Sequence, residues 1–296
     1  MKKKIIKIIY SIVHYFGILK LFRFINRNKI SIILYHNPTS EVFENHIKYL
    51  IRHYNIITLS EFVSNSISKN KFVIPKNCLI ITFDDGHKNN FHLLPIIKKY
   101  KIRPTIYVSS QIICSNRKFW WSVVKSEKEI ANLKSLENKE KINYLLKEYH
   151  FSLDDEFEFN ERDALSRNEI LEMNSYVDFQ SHTCYHPILT KCSDDELFFE
   201  LNESKQMLES LLNKEILHFS YPNGDYDNRV MSMVKSLGYL TARSTDCGWV
   251  NTKSNLLNLK IVGVSDKGSL YRLELDLLGL PLFFVNTYRK FQHLFK

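Results

Sequence analysis

Three short stretches carry side chains suited to hydrolytic chemistry. The first is Ile80-Ile81-Thr82-Phe83-Asp84-Asp85-Gly86. An apolar run there passes straight into two carboxylates and a glycine, which reads as a buried strand ending at a catalytic rim. Adjacent carboxylates at a strand end point in different directions, so one can bind a metal while its neighbour stays free as a base. The same triplet also suits an ordinary turn, with Asp as a helix cap. The second stretch is Gln180-Ser181-His182-Thr183-Cys184-Tyr185-His186-Pro187. His182 and His186 can share a metal if the backbone turns helically between them. Cys184, lying between them, reads as a buried thiol. The third is His218-Phe219-Ser220-Tyr221-Pro222-Asn223-Gly224-Asp225. Its Pro-x-Gly turn exposes backbone N–H groups with no ladder partner, suited to an oxyanion. A plain turn before a helix has the same pattern.

Each stretch needs an element to hold it. Short β-rich runs are expected at 30–35, 78–83, 105–109, 177–181, 217–221, 239–243 and 257–264. Helical patterns fall between them, among others at 43–54, 90–100, 194–212 and 228–237. Strands alternating with helices imply βα units and a parallel sheet, and about seven units close most economically as a barrel. The chain is therefore α/β. Ser193 and Glu196 form a capping-box pattern, and Leu197, Leu201, Leu208 and Leu212 follow on one helical face. Residues 118–170 read as a helical insertion. It opens on Phe119-Trp120-Trp121, runs as a charged helical stretch to about His150, and carries an acidic segment at 154–158. Trp120 and Trp121 could stack on sugar faces or bury themselves in a core.

The chain has 296 residues, 44% of them hydrophobic, enough for one large core. Its formal charge of +9 invites a nucleic-acid reading, but the distribution argues otherwise. Residues 1–29 carry eight Lys and Arg and no acid, leaving 33 basic against 32 acidic residues in the remainder. No RNA- or DNA-binding motif accompanies the excess, so nucleic acid is not an expected partner. Apolar residues interleave with those cations. Such an amphipathic segment suits an anionic membrane surface, or packs as a terminal helix on the domain. Lys7 and His14 interrupt its apolar stretch and no small-x-small cleavage site follows, so a signal peptide is not indicated. No run of eighteen uncharged apolar residues exists, and a spanning helix is not expected. The five cysteines are odd in number and form no CxxC pair, which points to reduced thiols rather than a disulfide or zinc framework. The expected location is the cytoplasm or the cytoplasmic face of the inner membrane, with export left open.

Taken together, the order Asp-Asp-Gly, His-x-x-x-His-Pro, Tyr-Pro-x-Gly resembles the NodB-type polysaccharide deacetylases, carbohydrate esterase family 4. The likeness runs from Ser31 to about Ser265, and Ile33-Leu34-Tyr35-His36 looks like the opening strand of the exopolysaccharide branch. The resemblance implies a distorted (β/α) barrel and a divalent ion, usually Zn2+. It implies Asp85, His182 and His186 as metal ligands, Asp84 as general base and the Asn223 N–H as an oxyanion donor. Tyr221, Pro222, Gly224, Trp120 and Trp121 are expected near the substrate. Two features depart from the family pattern. No Arg lies just before the Pro-x-Gly turn to orient the base. No Leu-x-His motif supplies a general acid, since no histidine lies between His218 and His293. His36, ending the first strand, is the candidate acid. The expected organisation is a basic amphipathic helix at 1–29, a barrel at 30–270, and an apolar then basic tail at 271–296. The expected activity is removal of N-acetyl groups from an amino-sugar surface glycan or its lipid-linked precursor. A catalytically inactive glycan-binding barrel, or a non-haem metal oxygenase, would use similar groups.

Overall fold

A computed structural model describes residues 15–67, 75–153 and 159–278. The strands are β1 (Ser31–Tyr35), β2 (Asn55–Ile56), β3 (Cys78–Phe83), β4 (Thr105–Val108), β5 (Asp178–Ser181), β6 (His218–Ser220), β7 (Thr241–Cys247) and β8 (Leu259–Gly263). The α-helices are α1 (Ile18–Asn26), α2 (Ser40–His53), α3 (Leu59–Ile67), α4 (Leu94–Tyr100), α5 (Trp120–Val123), α6 (Glu127–Leu133), α7 (Asn138–Tyr149), α8 (Arg167–Met173), α9 (Asp194–Leu212), α10 (Asn228–Ser236) and α11 (Leu270–Leu277).

Seven strands, all parallel, close a barrel in the order β1-β3-β4-β5-β6-β7-β8 and back to β1. The eighth, β2, pairs only with the first two residues of β3. Closure removes exposed sheet edges, and the expected α/β barrel is the fold observed. Period-two alternation sorts the side chains. Ile32, Leu34, Ile80, Tyr107, Leu259 and Ile261 form one cluster, with Leu59, Phe62 and Val63 of α3 packed against them. Ile33, Tyr35, Leu79, Ile81, Phe83 and Val108 belong to the larger cluster that packs the surrounding helices. The same alternation puts Asp84 on the face of Ile80 and Thr82.

Strand boundaries differ most at β7. The expected run ended at Arg243, whereas the strand continues to Cys247 through a register shift against β8 between those residues. That extension brings Thr245 over the Pro-x-Gly turn. Helix α9 begins as its capping pattern required: the Ser193 side chain accepts from the Glu196 N–H, and Glu196 reaches back to the Ser193 N–H.

Helices α5, α6 and α7 lie within the expected insertion and share a small core of Trp120, Val124, Leu133, Leu145 and Phe151. Its acidic segment, 154–158, lies outside the described residues, as do 1–14 and 279–296 of the two termini. Helix α1 sits by the N-terminal ends of the strands. Asn77, just before β3, donates its N–H to Arg27 O at 2.7 Å. Leu19 packs on Leu275 and Leu278 of the C-terminal helix region, while Leu21, Phe24 and Ile25 are each at least 60% exposed. No described helix is long and apolar enough to cross a membrane.

Candidate metal and catalytic site

The site is built from strand C-terminal ends. β3 is buried throughout and delivers Asp84 and Asp85, 4% and 5% exposed. Asp85 (φ 71°) and Gly86 (φ 75°) take consecutive left-handed conformations, which turns the chain sharply and sends the two carboxylates apart. A Cβ on Gly86 would lie 2.7 Å from Val108 Cγ1, so glycine alone fits there without displacement.

Asp84 is clamped by Arg243. The guanidinium Nη2 donates to both carboxylate oxygens and to Ser220 Oγ. Arg243 is 1% exposed, level with Ser220 in the β6–β7 register, and its guanidinium lies 5.3 Å from the Tyr107 ring centroid. Burial alone would raise the pKa of Asp84; Arg243, His182 and His36 hold it below the ordinary carboxylate value, so Asp84 is an anion. The arginine that the family pattern sets before the Pro-x-Gly turn, and that this sequence lacks there, is supplied by the following strand. Its only signal is an arginine closing the otherwise uncharged run Tyr239-Leu240-Thr241-Ala242.

Asp85 divides its oxygens. Oδ2 meets His87 Nε2 at 3.2 Å, and Oδ1 faces His182 Nε2 at 3.6 Å and His186 Nε2 at 3.5 Å. Burial opposes its charge, but the hydrogen bond and the charge of His87 keep it well below the usual range. His87, two residues past Asp85, went unassigned in the sequence; its own pKa is raised, the Asp85 hydrogen bond overcoming burial.

The two histidines do not sit on a helical turn. His182 follows β5 directly, and the chain then loops through left-handed Thr183 (φ 67°) and His186 (φ 57°). Side chains satisfy this loop where helix bonds would have. Thr183 Oγ1 accepts from the His186 N–H at 2.9 Å. Glu200 Oε2, from α9, accepts from the Cys184 and Tyr185 N–H groups at 2.8 and 3.0 Å. Glu200 is 4% exposed, and burial pushes its pKa up to about 7, with the two N–H bonds and Lys141 pulling the other way. His182 Nδ1 donates to Ser220 O at 2.7 Å, which leaves a lone pair on Nε2. Burial and the neighbouring His182 push His186 down to about 3, so its imidazole is neutral. Cys184 is fully buried beside Ser110, and burial raises its thiol pKa, as a packing residue requires.

Ligand atoms of Asp85, His182 and His186 all lie within 4.8 Å of one another. One carboxylate and two imidazoles, converging in a buried place, fit a divalent ion such as zinc. They open onto a cavity of about 260 Å³ that also receives Asp84, His36, Trp121, Asn223 and Thr245. His36 is exposed, its backbone held between the Asp266 carboxylate and Asn90.

The remaining expected residues separate into two groups. Trp121 lines the cavity, its ring 4.4 Å from His186 edge-on and stacked on Phe119 at 4.8 Å. Trp120 does not: it is 2% exposed in the insertion core, and its Nε1 donates to His186 O at 3.1 Å. Asn223 lines the cavity in a left-handed conformation (φ 59°). Tyr221 is 1% exposed and spends its hydroxyl on Leu257 O, and Pro222 is buried beside it. Gly224 (φ 81°) is required by close approach, since a Cβ would fall 2.0 Å from Thr245 Oγ1. Trp120, Tyr221, Pro222 and Gly224 therefore shape the wall from behind rather than offer surface to a sugar.

Comparison with known proteins agrees with this geometry. The family model for polysaccharide deacetylase matches residues 73–242. The chain is 23% identical over 248 residues to YxkH of Bacillus subtilis, provisionally named a polysaccharide deacetylase, covering 80% of this chain and 72% of that one. It is 26% identical over 228 residues to the Staphylococcus aureus poly-β-1,6-N-acetyl-D-glucosamine N-deacetylase, covering 76% of this chain and 66% of that one, just under two thirds of its length. Among solved structures, the Streptococcus pyogenes deacetylase PplD, in complex with acetate, superposes with a TM-score of 0.61 at 20% identity, over 83% of this chain and 97% of that one.

The loop geometry makes a direct prediction. Glu200→Ala removes the acceptor for two N–H groups beside the histidines, so zinc affinity should fall by roughly 10- to 100-fold. Competition with a chromophoric chelator measures this, and an unchanged affinity would show that the loop holds its shape without Glu200.

Proposed function

The chain belongs to the polysaccharide deacetylase family, and from that premise we propose that it hydrolyses N-acetyl groups on an amino-sugar surface glycan, with Asp84 as base and Asp85, His182 and His186 as metal ligands. The observation that carries the proposal is the pairing of an ionised, clamped Asp84 with a separate three-donor cluster in one cavity.

An amide is a poor electrophile, and the amine it releases must receive a proton. A bound divalent ion would polarise the acetyl carbonyl and bring the pKa of water toward neutrality, which lets a carboxylate as weakly basic as Asp84 take a proton from it. Arg243 keeps Asp84 charged and aimed while it does so. Water oxygen bonds to the acetyl carbon, and we assign the Asn223 N–H, from a residue lining the cavity, to steady the developing oxyanion. The C–N bond then breaks, acetate departs, and the amine takes a proton. His36 is the donor we assign, as the exposed imidazole lining the cavity opposite the buried pair. Two histidines and one carboxylate also describe an iron oxygenase site. The second, arginine-held carboxylate favours hydrolysis.

We further infer that residues 1–29 make peripheral contact with an anionic bilayer. Support comes from the exposed Leu21, Phe24 and Ile25 of α1, interspersed with Lys20, Arg23 and Arg27. Helix α1 and the catalytic cavity lie at opposite ends of the barrel. A chain resting on α1 turns the cavity away from the lipid, which favours a polymer over a lipid-linked precursor as substrate and leaves the side of the membrane open.

Asp84→Asn should keep zinc, read by elemental analysis, while acetate release from β-1,6-linked N-acetylglucosamine oligomers falls by about 10²- to 10⁴-fold. His182→Ala should lose zinc and turnover together. Full activity in Asp84→Asn would refute the assigned base. For the membrane contact, the protein should co-sediment with phosphatidylglycerol vesicles and not with phosphatidylcholine ones, and Phe24→Glu with Ile25→Glu should abolish this; binding that survives the double substitution would refute it.

A further inference from the structure

One face of α6 looks into the catalytic cavity. Glu127, Ile130 and Lys134 line it together with the Asp and His groups, and residues three and four apart share a helix face. The helix is braced from behind. Leu133 sits in the insertion core, and the Tyr144 and Tyr149 hydroxyls of α7 both donate to Glu129, at 3.0 and 2.6 Å. Ser126 caps the first turn by accepting from the Glu129 N–H. The three cavity-facing side chains are in different states. Lys134 Nζ donates to Asn223 Oδ1 at 2.7 Å. Ile130 is half-buried between the insertion core and the cavity. Glu127 is exposed and has no hydrogen-bond or ion-pair partner among the described residues.

We propose that α6 is the substrate-selecting wall of the site, with Ile130 and Glu127 engaging the sugar ring that carries the acetamide and Lys134 positioning Asn223. This rests on the deacetylase reading. A pyranose ring offers an apolar C–H face and a rim of hydroxyl donors. Ile130 and Trp121 give the cavity apolar surface for the first, and Glu127 gives an acceptor-only group for the second. The strand ends supply the reacting groups, and none of these reads the rest of the ring. Selectivity falls to what surrounds them, and α6 is a rigid element there with side chains to spare. Lys134 acts at one remove: by holding the Asn223 side chain it fixes the turn whose N–H meets the oxyanion.

The test uses the full-length, zinc-loaded protein carrying Asp84→Asn, so that binding is read without turnover. Titration with a β-1,6-linked N-acetylglucosamine tetramer, followed by calorimetry, gives Kd. Adding Glu127→Ala or Ile130→Ala should each raise Kd by about tenfold or more, with zinc content unchanged. In enzyme retaining Asp84, Lys134→Ala should lower kcat with KM unchanged, and Lys134→Arg should restore it. A Kd indifferent to both wall substitutions, or no tetramer binding at all, would overturn the wall. Binding that depends on the wall in a protein that releases no acetate would leave the wall standing and remove the deacetylase reading. A kcat unmoved by Lys134→Ala would remove its positioning role.

Discussion

Two carboxylates stand side by side at the end of β3, and both are almost fully removed from water. Burying one such charge is costly and burying two together is more so, unless each is separately compensated. The structure separates them by a left-handed turn and gives each its own counter-charge. Asp84 receives the Arg243 guanidinium, and Asp85 receives His87 on one oxygen, leaving its other oxygen facing the paired imidazoles that share its metal cluster. This division makes two roles out of one dipeptide. Arg243 is itself a buried cation, so each charge compensates the other, and the pair ties β3 to β7 across the barrel.

The rest of the fold serves that convergence. Closure of seven parallel strands brings β1, β3, β5, β6 and β7 to a common rim, where His36, the aspartates, His182, Ser220 and Arg243 meet. Helix α9 contributes beyond packing: the same helix that buries Leu197, Leu201 and Leu208 lends Glu200 to the loop between the histidines. The insertion contributes a wall, and its Trp120 ties that wall to His186 through a single hydrogen bond.

Local patterns were legible in the sequence, and what depended on distant elements was not. Asp84-Asp85-Gly86 and the His182/His186 pair could be read because each site is written within a few residues of a strand end. The barrel could be read from alternating βα patterns. Arg243 could not, because its relation to Asp84 is set by the β6–β7 register and not by spacing from the Pro-x-Gly turn. The helical turn expected between the histidines was replaced by a loop, since a glutamate 14 residues beyond His186 satisfies its N–H groups. Trp120 and Trp121 were indistinguishable in sequence; only the insertion's packing sends one into a core and the other to the cavity. Tyr221, Pro222 and Gly224 read as substrate contacts because their turn is local, yet Tyr221 and Pro222 are buried and Gly224 is pressed against Thr245, contacts set by later elements.

Asp85, His182 and His186 offer one nitrogen- and oxygen-donor site for a single divalent ion. X-ray absorption at the zinc edge of the reconstituted protein tests it most directly. The expected result is one zinc per chain in a shell of nitrogen and oxygen at about 2.0–2.1 Å, with the outer-shell signature of two imidazoles and no sulfur. A sulfur shell near about 2.3 Å, or zinc scattered over weak surface positions, would contradict it.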